Sequence, residues 1–344
     1  MEPRRRILVW TGVLLTLALV LVARLIGAFR TEDTGLASGG LLWGLVSLVG
    51  LAWVLRNLDF ACAHPFGAES KVLGLIAVLP FLWEDLGNPV PPLSVFALVL
   101  VVGGFLVSRR GRPGTAGLLF GCAMLVDFAL VLVVPWFLYR LRLRAIAGVS
   151  LVLCVFLGAA WVEPDLWRWY SASATGIDAA NQSLYAVIEP CLGSFSPAAR
   201  TAVYAAGVTA SVVVLLLTSW RRYPGLRLRF SVNEVSVALA AAVVLAPVST
   251  RADFVFLLPA ALVGVEASRR SSPPVLRRAA TCLLGGAFLC SVASFFTTLE
   301  EVRFSALVSA SFFLALSAYP RFYPTTRAFA GSQRSADSRP CDNG

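Results

Sequence analysis

The side chains in this sequence best suited to chemistry are carboxylates that lie between its apolar runs, with arginines near them. A carboxylate can act as a general base that removes the proton of an acceptor hydroxyl. An arginine can bind the phosphate of a leaving group through two parallel hydrogen bonds. This pairing suits sugar transfer from a lipid phosphate. The sequence has no glycine-rich phosphate loop, dinucleotide fingerprint or Ser/His/Asp set, so a soluble nucleotide donor has no recognisable site.

Composition places these residues in a membrane protein. Hydrophobic residues make up 58% of the 344 positions and charged residues only 14%, whereas about a quarter of residues are charged in soluble domains. The net charge of +10 comes from arginines that cluster between apolar runs. We therefore expect this charge to meet the anionic membrane face rather than nucleic acid. The predicted fold class is an all-α, polytopic membrane bundle.

Cysteine and histidine give no sign of a metal site. The seven cysteines show no CxxC or Cys/His spacing, and four of them lie inside apolar runs. We interpret them as small hydrophobic side chains rather than disulfides or metal ligands. The single histidine, His64, is interpreted as a solvated loop residue. The sequence predicts no resident cofactor and leaves metal dependence open.

Apolar runs divide residues 1–327 into a single domain of about 10–11 membrane segments. The first, residues 7–28, follows a basic leader and is too long for a signal-peptide core. A short polar loop is predicted over residues 30–38, interfacial helices over residues 162–200, and a disordered tail over residues 328–344. The other apolar runs are residues 41–55, 72–83, 89–107, 145–161, 201–220, 235–248, 254–265, 279–296 and 304–319.

The stretch from Arg109 to Arg144 fixes the orientation of the other segments. Three arginines stand at each end, and the 27 residues between Arg112 and Arg140 contain one charge, Asp127. As one helix this stretch would be about 40 Å long, enough to cross a hydrocarbon core of about 30 Å. Alternatively, two half-helices meet near Asp127 and form a re-entrant hairpin, whose broken backbone must be surrounded by protein.

The distribution of basic residues favours the hairpin, because basic residues concentrate in cytoplasmic loops. With the hairpin, 23 of the 29 Lys/Arg residues are cytoplasmic, whereas a single span leaves only 12 there. The hairpin also puts 11 of the 19 acidic residues in outer loops and aims Asp127 toward them. We expect an acidic outer face in the cytoplasmic membrane. At this depth Asp127 either has a cationic partner, for which Arg24 and Arg251 are the candidates, or is protonated or caps a break in the helix.

Three blocks of the sequence resemble glycosyltransferase family 87. They are the run from LGNPVPP through RRGRPGTAGLLFG to RAIAG, then NQSLYAVIEP, then LAPVSTRADFVFLLPAALV, and the resemblance covers roughly residues 40–270. It implies an integral-membrane mannosyltransferase of the GT-C fold, which takes mannose from a polyprenyl-phosphate donor outside the cytoplasmic face. The implied partners are that donor, a lipid or glycan acceptor and membrane lipids.

The resemblance also implies site residues. The family's glycine and glutamine fall on Gly87 and Asn88, its lysine at the hairpin tip on Asp127, and its NQS block on Asn181, Gln182 and Ser183. Its SP-x-S-W block, with the acidic and histidine residues after it, falls on Pro247, Ser249, Thr250, Arg251, Ala252 and Asp253. The implied substrate-binding residues are Asn88, Asp127, Asn181, Gln182, Ser183, Arg251 and Asp253.

The chain departs from the family pattern at several of these positions. Asn88 replaces the glutamine and Asp127 the lysine, and the first outer loop is short. The family places its catalytic aspartate in that loop, where only Asp33 and Glu32 are available here. The expected function is transfer of a sugar, mannose, from a polyprenyl phosphate to an outer-face acceptor. The alternative is a catalytically silent relative, or a lipid or glycan carrier on the same scaffold.

Overall fold

The computed structural model describes residues 34–61, 66–87, 93–139, 143–165, 183–222, 232–246, 249–270, 274–294 and 304–318. Within these ranges all regular structure is helical, as the composition predicted. There are three 3-10 helices: the first is Phe128–Val133, the second Glu189–Leu192 and the third Arg251–Leu257. The α-helices are α1 (Thr34–Ala61), α2 (Ala68–Gly87), α3 (Leu93–Arg109), α4 (Pro113–Val126), α5 (Val134–Tyr139), α6 (Leu143–Val162), α7 (Leu184–Ile188), α8 (Pro197–Arg222), α9 (Val232–Leu245), α10 (Leu258–Arg270), α11 (Pro274–Ala293) and α12 (Ser305–Ala318).

Helices α1 and α2 extend beyond their predicted limits. The loop predicted over residues 30–38 is wrong from Thr34 onward, because residues 34–43 contain no charge and no proline and join helix α1. Helix α2 extends past the apolar run 72–83 at both ends and includes Pro80. The predicted first span (7–28), His64 and the tail lie outside the described residues.

Several helices have the length and composition of membrane spans. In the described part of the chain, α6, α8 and α11 are long and apolar enough to cross a bilayer, and five further apolar helices are shorter. Helix α6 exposes Leu151, Val155 and Trp161, the last to 87%. A contiguous exposed apolar face of this kind suits contact with lipid. The chain is therefore a polytopic, all-α membrane protein.

Helices α2 and α10 pack against each other in opposite directions through the core. Phe81, near the end of α2, contacts Phe254, which lies just before α10, with ring centroids 5.3 Å apart. At the other end of the pair, Glu266 accepts hydrogen bonds from the Ser70 hydroxyl (2.6 Å) and the Gly67 N–H (3.3 Å). These contacts show that the end of α2 lies beside the start of α10, and that the start of α2 lies beside the end of α10.

Helices α4 and α6 run parallel and touch through their backbones. A Cβ atom on Gly117 would overlap the carbonyl group of Ala145, so only glycine permits this approach. Small residues allow such close packing between membrane helices. Successive contacts follow both helices in the same direction. Gly114 lies beside Arg144, Gly117 beside Ala145 and Gly148, and Gly121 beside Val152.

Because α4 and α6 are parallel neighbours, the chain between them must return to where α4 began. Helix α4 has 14 residues and rises about 21 Å. The first 3-10 helix and α5 have six residues each and together descend about 21 Å. The predicted hairpin is therefore confirmed as chain geometry, with Asp127 at its tip. The side of the membrane from which it enters stays a prediction.

The hairpin gives the bundle two chemically different ends. At its base the exposed side chains of Arg110, Arg112 and Arg144 stand where α4 and α6 begin. We call this the arginine end, and Arg269, which pairs with Glu69, lies there too. The opposite end, which contains the hairpin tip, is called the acid end. Within the described residues only Arg200 and Arg251 are basic residues at the acid end.

We predict that Gly117→Ala destabilises the protein, while Gly158→Ala on the exposed part of α6 does not. The new methyl at position 117 would meet backbone, which cannot move aside as a side chain can, whereas Gly158 has nothing within 4 Å. Overpacking of this kind costs about 1–3 kcal/mol. Thermal unfolding in one detergent measures both variants. Equal melting temperatures would show that α4 and α6 are not in backbone contact.

We also predict that cysteines placed at Arg110 and Arg144 are labelled only from the cytoplasmic side, and one placed at Glu163 only from outside. The background must lack the native cysteines, since Cys122 and Cys154 are exposed. A membrane-impermeant maleimide applied to intact cells and to inverted vesicles measures the side. Labelling of positions 110 and 144 from different sides would contradict the hairpin.

Candidate functional site

The tip of the hairpin is a break in the helix that one side chain stabilises. Asp127 has an extended backbone (φ −141°, ψ 109°) and ends α4, with its N–H donating to Ala123 O at 2.9 Å. Its Oδ1 accepts a hydrogen bond from the Ala129 N–H at 2.8 Å and so caps the first 3-10 helix. The carboxylate thus satisfies one of the donors that a helix start leaves without an intrahelical partner.

A second capped helix start lies in the connection between α9 and α10. Asp253 Oδ2 accepts a hydrogen bond from the Thr250 N–H at 2.6 Å, and the Asp253 N–H donates to Thr250 O at 3.1 Å. The Thr250 side chain also accepts a hydrogen bond from the Asp253 N–H, so the two residues form a capping box at the start of the third 3-10 helix. Asp253 Oδ1 accepts a longer hydrogen bond, 3.4 Å, from the Ser94 hydroxyl in the first turn of α3.

The two aspartates meet at the acid end of the bundle. The Asp253 carboxyl group lies within hydrogen-bonding reach of the Asp127 side chain. We call Asp127 and Asp253 the carboxyl pair. Both residues are only partly buried, although Asp127 Oδ2 itself is fully enclosed. The pair joins the hairpin tip to the third 3-10 helix, across 126 positions of the sequence.

Helices α7 and α8 contact each other, and α8 is hydrogen-bonded to the end of α9. The Tyr204 hydroxyl donates to the carbonyl oxygens of Leu245 (2.8 Å) and Ala246 (2.9 Å), at the end of α9. The Tyr204 ring packs edge-on against Tyr185, with centroids 4.9 Å apart. Ser183 is buried, and its Oγ accepts from the Ala186 N–H at 3.3 Å, so this predicted substrate residue acts as the N-cap of α7.

Ser183, a sequence-predicted site residue, thus caps α7. The structure brings together two other predicted site residues, Asp127 and Asp253. The backbone of Arg251 begins the third 3-10 helix, beside them. The structure does not test the expected pairing of Asp127 with Arg251 or Arg24, because it describes neither arginine side chain. The predicted site residues that lie outside the described residues are Glu32, Asp33, Asn88, Asn181 and Gln182.

Two residues of this region escaped the sequence analysis. Ser94 is one serine in an apolar helix, and its role depends on a partner 159 positions away. Tyr204 lies in an apolar run that reads as an ordinary membrane span. A polar atom within such a run is the signal that could have found them, since polar atoms in a membrane helix need internal partners. In the described part of the chain, no three His, Cys, Asp or Glu residues gather as metal ligands.

Comparison with known proteins identifies the family of this chain. The profile of glycosyltransferase family 87 matches residues 33–247. The chain belongs to glycosyltransferase family 87. The match includes Asp127 and the NQS block and ends before Asp253, so half of the carboxyl pair lies beyond it. No curated protein and no solved structure matches the chain. The family membership makes the protein a membrane glycosyltransferase.

Proposed function

We propose that this protein transfers mannose from a polyprenyl phosphate to a hydroxyl group of a lipid or glycan acceptor at the outer face of the cytoplasmic membrane. The observation that carries the proposal is the family match over residues 33–247. The geometry supports it, because the hairpin tip gathers carboxylates at the end of the bundle opposite the arginine end. A lipid-linked donor also agrees with a sequence that lacks any recognisable nucleotide site.

The reaction requires one base and one site for the leaving phosphate. The base takes the proton of the acceptor hydroxyl, and the oxygen then forms a bond to C1 of the sugar. The bond between C1 and the phosphate oxygen breaks, and polyprenyl phosphate leaves with the electron pair. Positive charge near that phosphate stabilises the charge that develops on it. No metal or other cofactor is needed for these atoms and electrons to balance.

The residues predicted from the sequence are assigned to these tasks as follows. Asp33, with Glu32 behind it, is the general base, and Arg251 meets the donor phosphate. Asn88, Asn181 and Gln182 bind hydroxyl groups of the sugar or the acceptor. Ser183 holds the start of α7, and the carboxyl pair, Asp127 and Asp253, shapes the wall of the site at the hairpin tip.

The short first outer loop favours a second candidate function. Helix α1 begins at Thr34, one residue after Asp33, which leaves little chain in which to build a mobile catalytic loop. A catalytically silent relative, or a carrier of lipid-linked sugars on the same scaffold, would need no base there. The two functions differ in whether a new glycosidic bond forms.

We predict label transfer when membranes that contain the protein are incubated with radiolabelled polyprenyl-phosphate mannose and a lipid extract. Polyprenyl-phosphate glucose and galactose serve as parallel donors, so that a different sugar is recognised if mannose fails. Membranes from cells without the protein give the background. If the protein folds and inserts normally but no product is labelled with any donor, the silent relative or the carrier is favoured.

For the general base, we predict that Asp33→Asn lowers the transfer rate by about 10²–10⁴-fold, the usual worth of a positioned base. The amide keeps the size of the side chain but cannot take the proton. Glu32→Gln is measured beside it, and Glu163→Gln is the matched control, because Glu163 is an exposed carboxylate expected on the same face. Losses below tenfold in both Asp33→Asn and Glu32→Gln would exclude the assignment.

A further inference from the structure

Tyr204 lies outside the three blocks that resemble the family, yet it contacts two of them. Its hydroxyl donates to the carbonyl oxygens of Leu245 (2.8 Å) and Ala246 (2.9 Å), which belong to the block LAPVSTRADFVFLLPAALV. Its ring packs against the ring of Tyr185, which belongs to the block NQSLYAVIEP, with centroids 4.9 Å apart. One side chain of α8 therefore joins the two blocks that contain most of the predicted substrate-binding residues.

The Tyr204 hydroxyl acts where α9 ends and its backbone needs donors from elsewhere. The last four carbonyl groups of a helix have no intrahelical partner, and a bundle surrounded by lipid must supply partners for them itself. Pro247 has no N–H that could donate to Val243 O, and the Ser249 hydroxyl donates to that oxygen at 2.8 Å. Two side-chain hydroxyls, those of Tyr204 and Ser249, thus hold the end of α9, just before the capping box of the third 3-10 helix.

Helix α7, on the other side of Tyr204, depends on its contacts for its position. It has only five residues, and isolated helices shorter than about 12 residues are marginal at best. Ser183 caps its start, but none of the side chains within the helix is fully buried. The packing of Tyr185 against the Tyr204 ring is therefore one of the few contacts that fix α7, which directly follows the NQS block.

We propose that Tyr204 is a positioning residue for substrate binding, which holds α7 and the end of α9 at a fixed separation. The inference rests on the proposed function, in which Asn181, Gln182 and Arg251 of these two blocks bind the substrates. Tyr204 acts through these residues and does not itself touch the substrate. A donor bound by both blocks at once binds more weakly when their separation varies, because ordering the site on binding reduces affinity.

The first test is the kinetics of Tyr204→Phe, which keeps the ring contact with Tyr185 and removes only the hydroxyl. We expect the KM for polyprenyl-phosphate mannose to rise about 3–10-fold, the contribution of one hydrogen bond, with kcat unchanged. A merely structural role would reduce the amount of folded enzyme, and hence the maximal rate, without changing KM. Thr209→Val is the matched control, because the hydroxyl of Thr209 on the same helix bonds to Ala205 O at 2.8 Å, within α8.

The second test does not require activity. Hydrogen–deuterium exchange of the full-length protein in phosphatidylcholine nanodiscs reports how often each segment opens. In Tyr204→Phe we expect exchange to become about 3–10-fold faster in peptides that cover residues 243–253, because one hydrogen bond is lost there. In Tyr204→Leu, which also lacks the ring, we expect residues 183–192 to exchange faster as well. Exchange in α4 and α6, and in the whole Thr209→Val variant, should match the wild type.

The outcomes separate this proposal from the proposed function. Unchanged exchange in both Tyr204 variants would overturn it, because the side chain would then hold neither segment. An unchanged KM in an active Tyr204→Phe enzyme would also overturn it, as would faster exchange throughout the protein or failure of this variant to fold. If the wild type transfers no sugar but the local exchange changes as expected, the proposed function is refuted, while the link between α7 and α9 is supported.

Discussion

A chain that reverses direction inside an apolar bundle must provide hydrogen-bond partners for its own backbone N–H and C=O groups. The rest of the structure depends on this requirement. The break at Asp127 leaves N–H groups that no helix satisfies, and lipid offers no hydrogen bonds to them. Asp127 itself supplies one acceptor, and the surrounding helices exclude lipid from the rest. Helix α6 contributes most directly, since its glycine contacts with α4 hold this first arm of the hairpin in place. The second arm consists of the first 3-10 helix and α5, and the contact of α9 with the first 3-10 helix supports it.

The membrane segments and the hairpin could be predicted from the sequence, because they depend on the order of charged and hydrophobic residues along the chain. That order can be read without knowing which residues are in contact. The arginines around residues 110 and 142, with one aspartate between them, were enough to favour a hairpin over a crossing. The first and last residues of the helices were harder to predict from the sequence. Residues 34–38 look polar beside the apolar run that follows, yet they join α1 because nothing in them opposes a helix.

The details of the candidate site depend on contacts between distant segments, which a single sequence does not contain. The structure brings Asp253 beside Asp127, while the expected pairing of Asp127 with a cation stays a prediction. Each aspartate was recognised as a site residue from a separate block, but nothing in either block indicates that the blocks touch. The same holds for Tyr204, whose hydroxyl binds carbonyl groups 41 and 42 positions away.

The dependence of α4 on α6 has a consequence for the order of synthesis. Residues 113–139 leave the ribosome before residues 143–162. In the folded protein, however, the hairpin packs against the helix that residues 143–162 form. Until α6 is inserted, the first stable form open to this segment is a continuous apolar helix. The bend at Asp127 is therefore a late event, made when α6 arrives and its glycines dock.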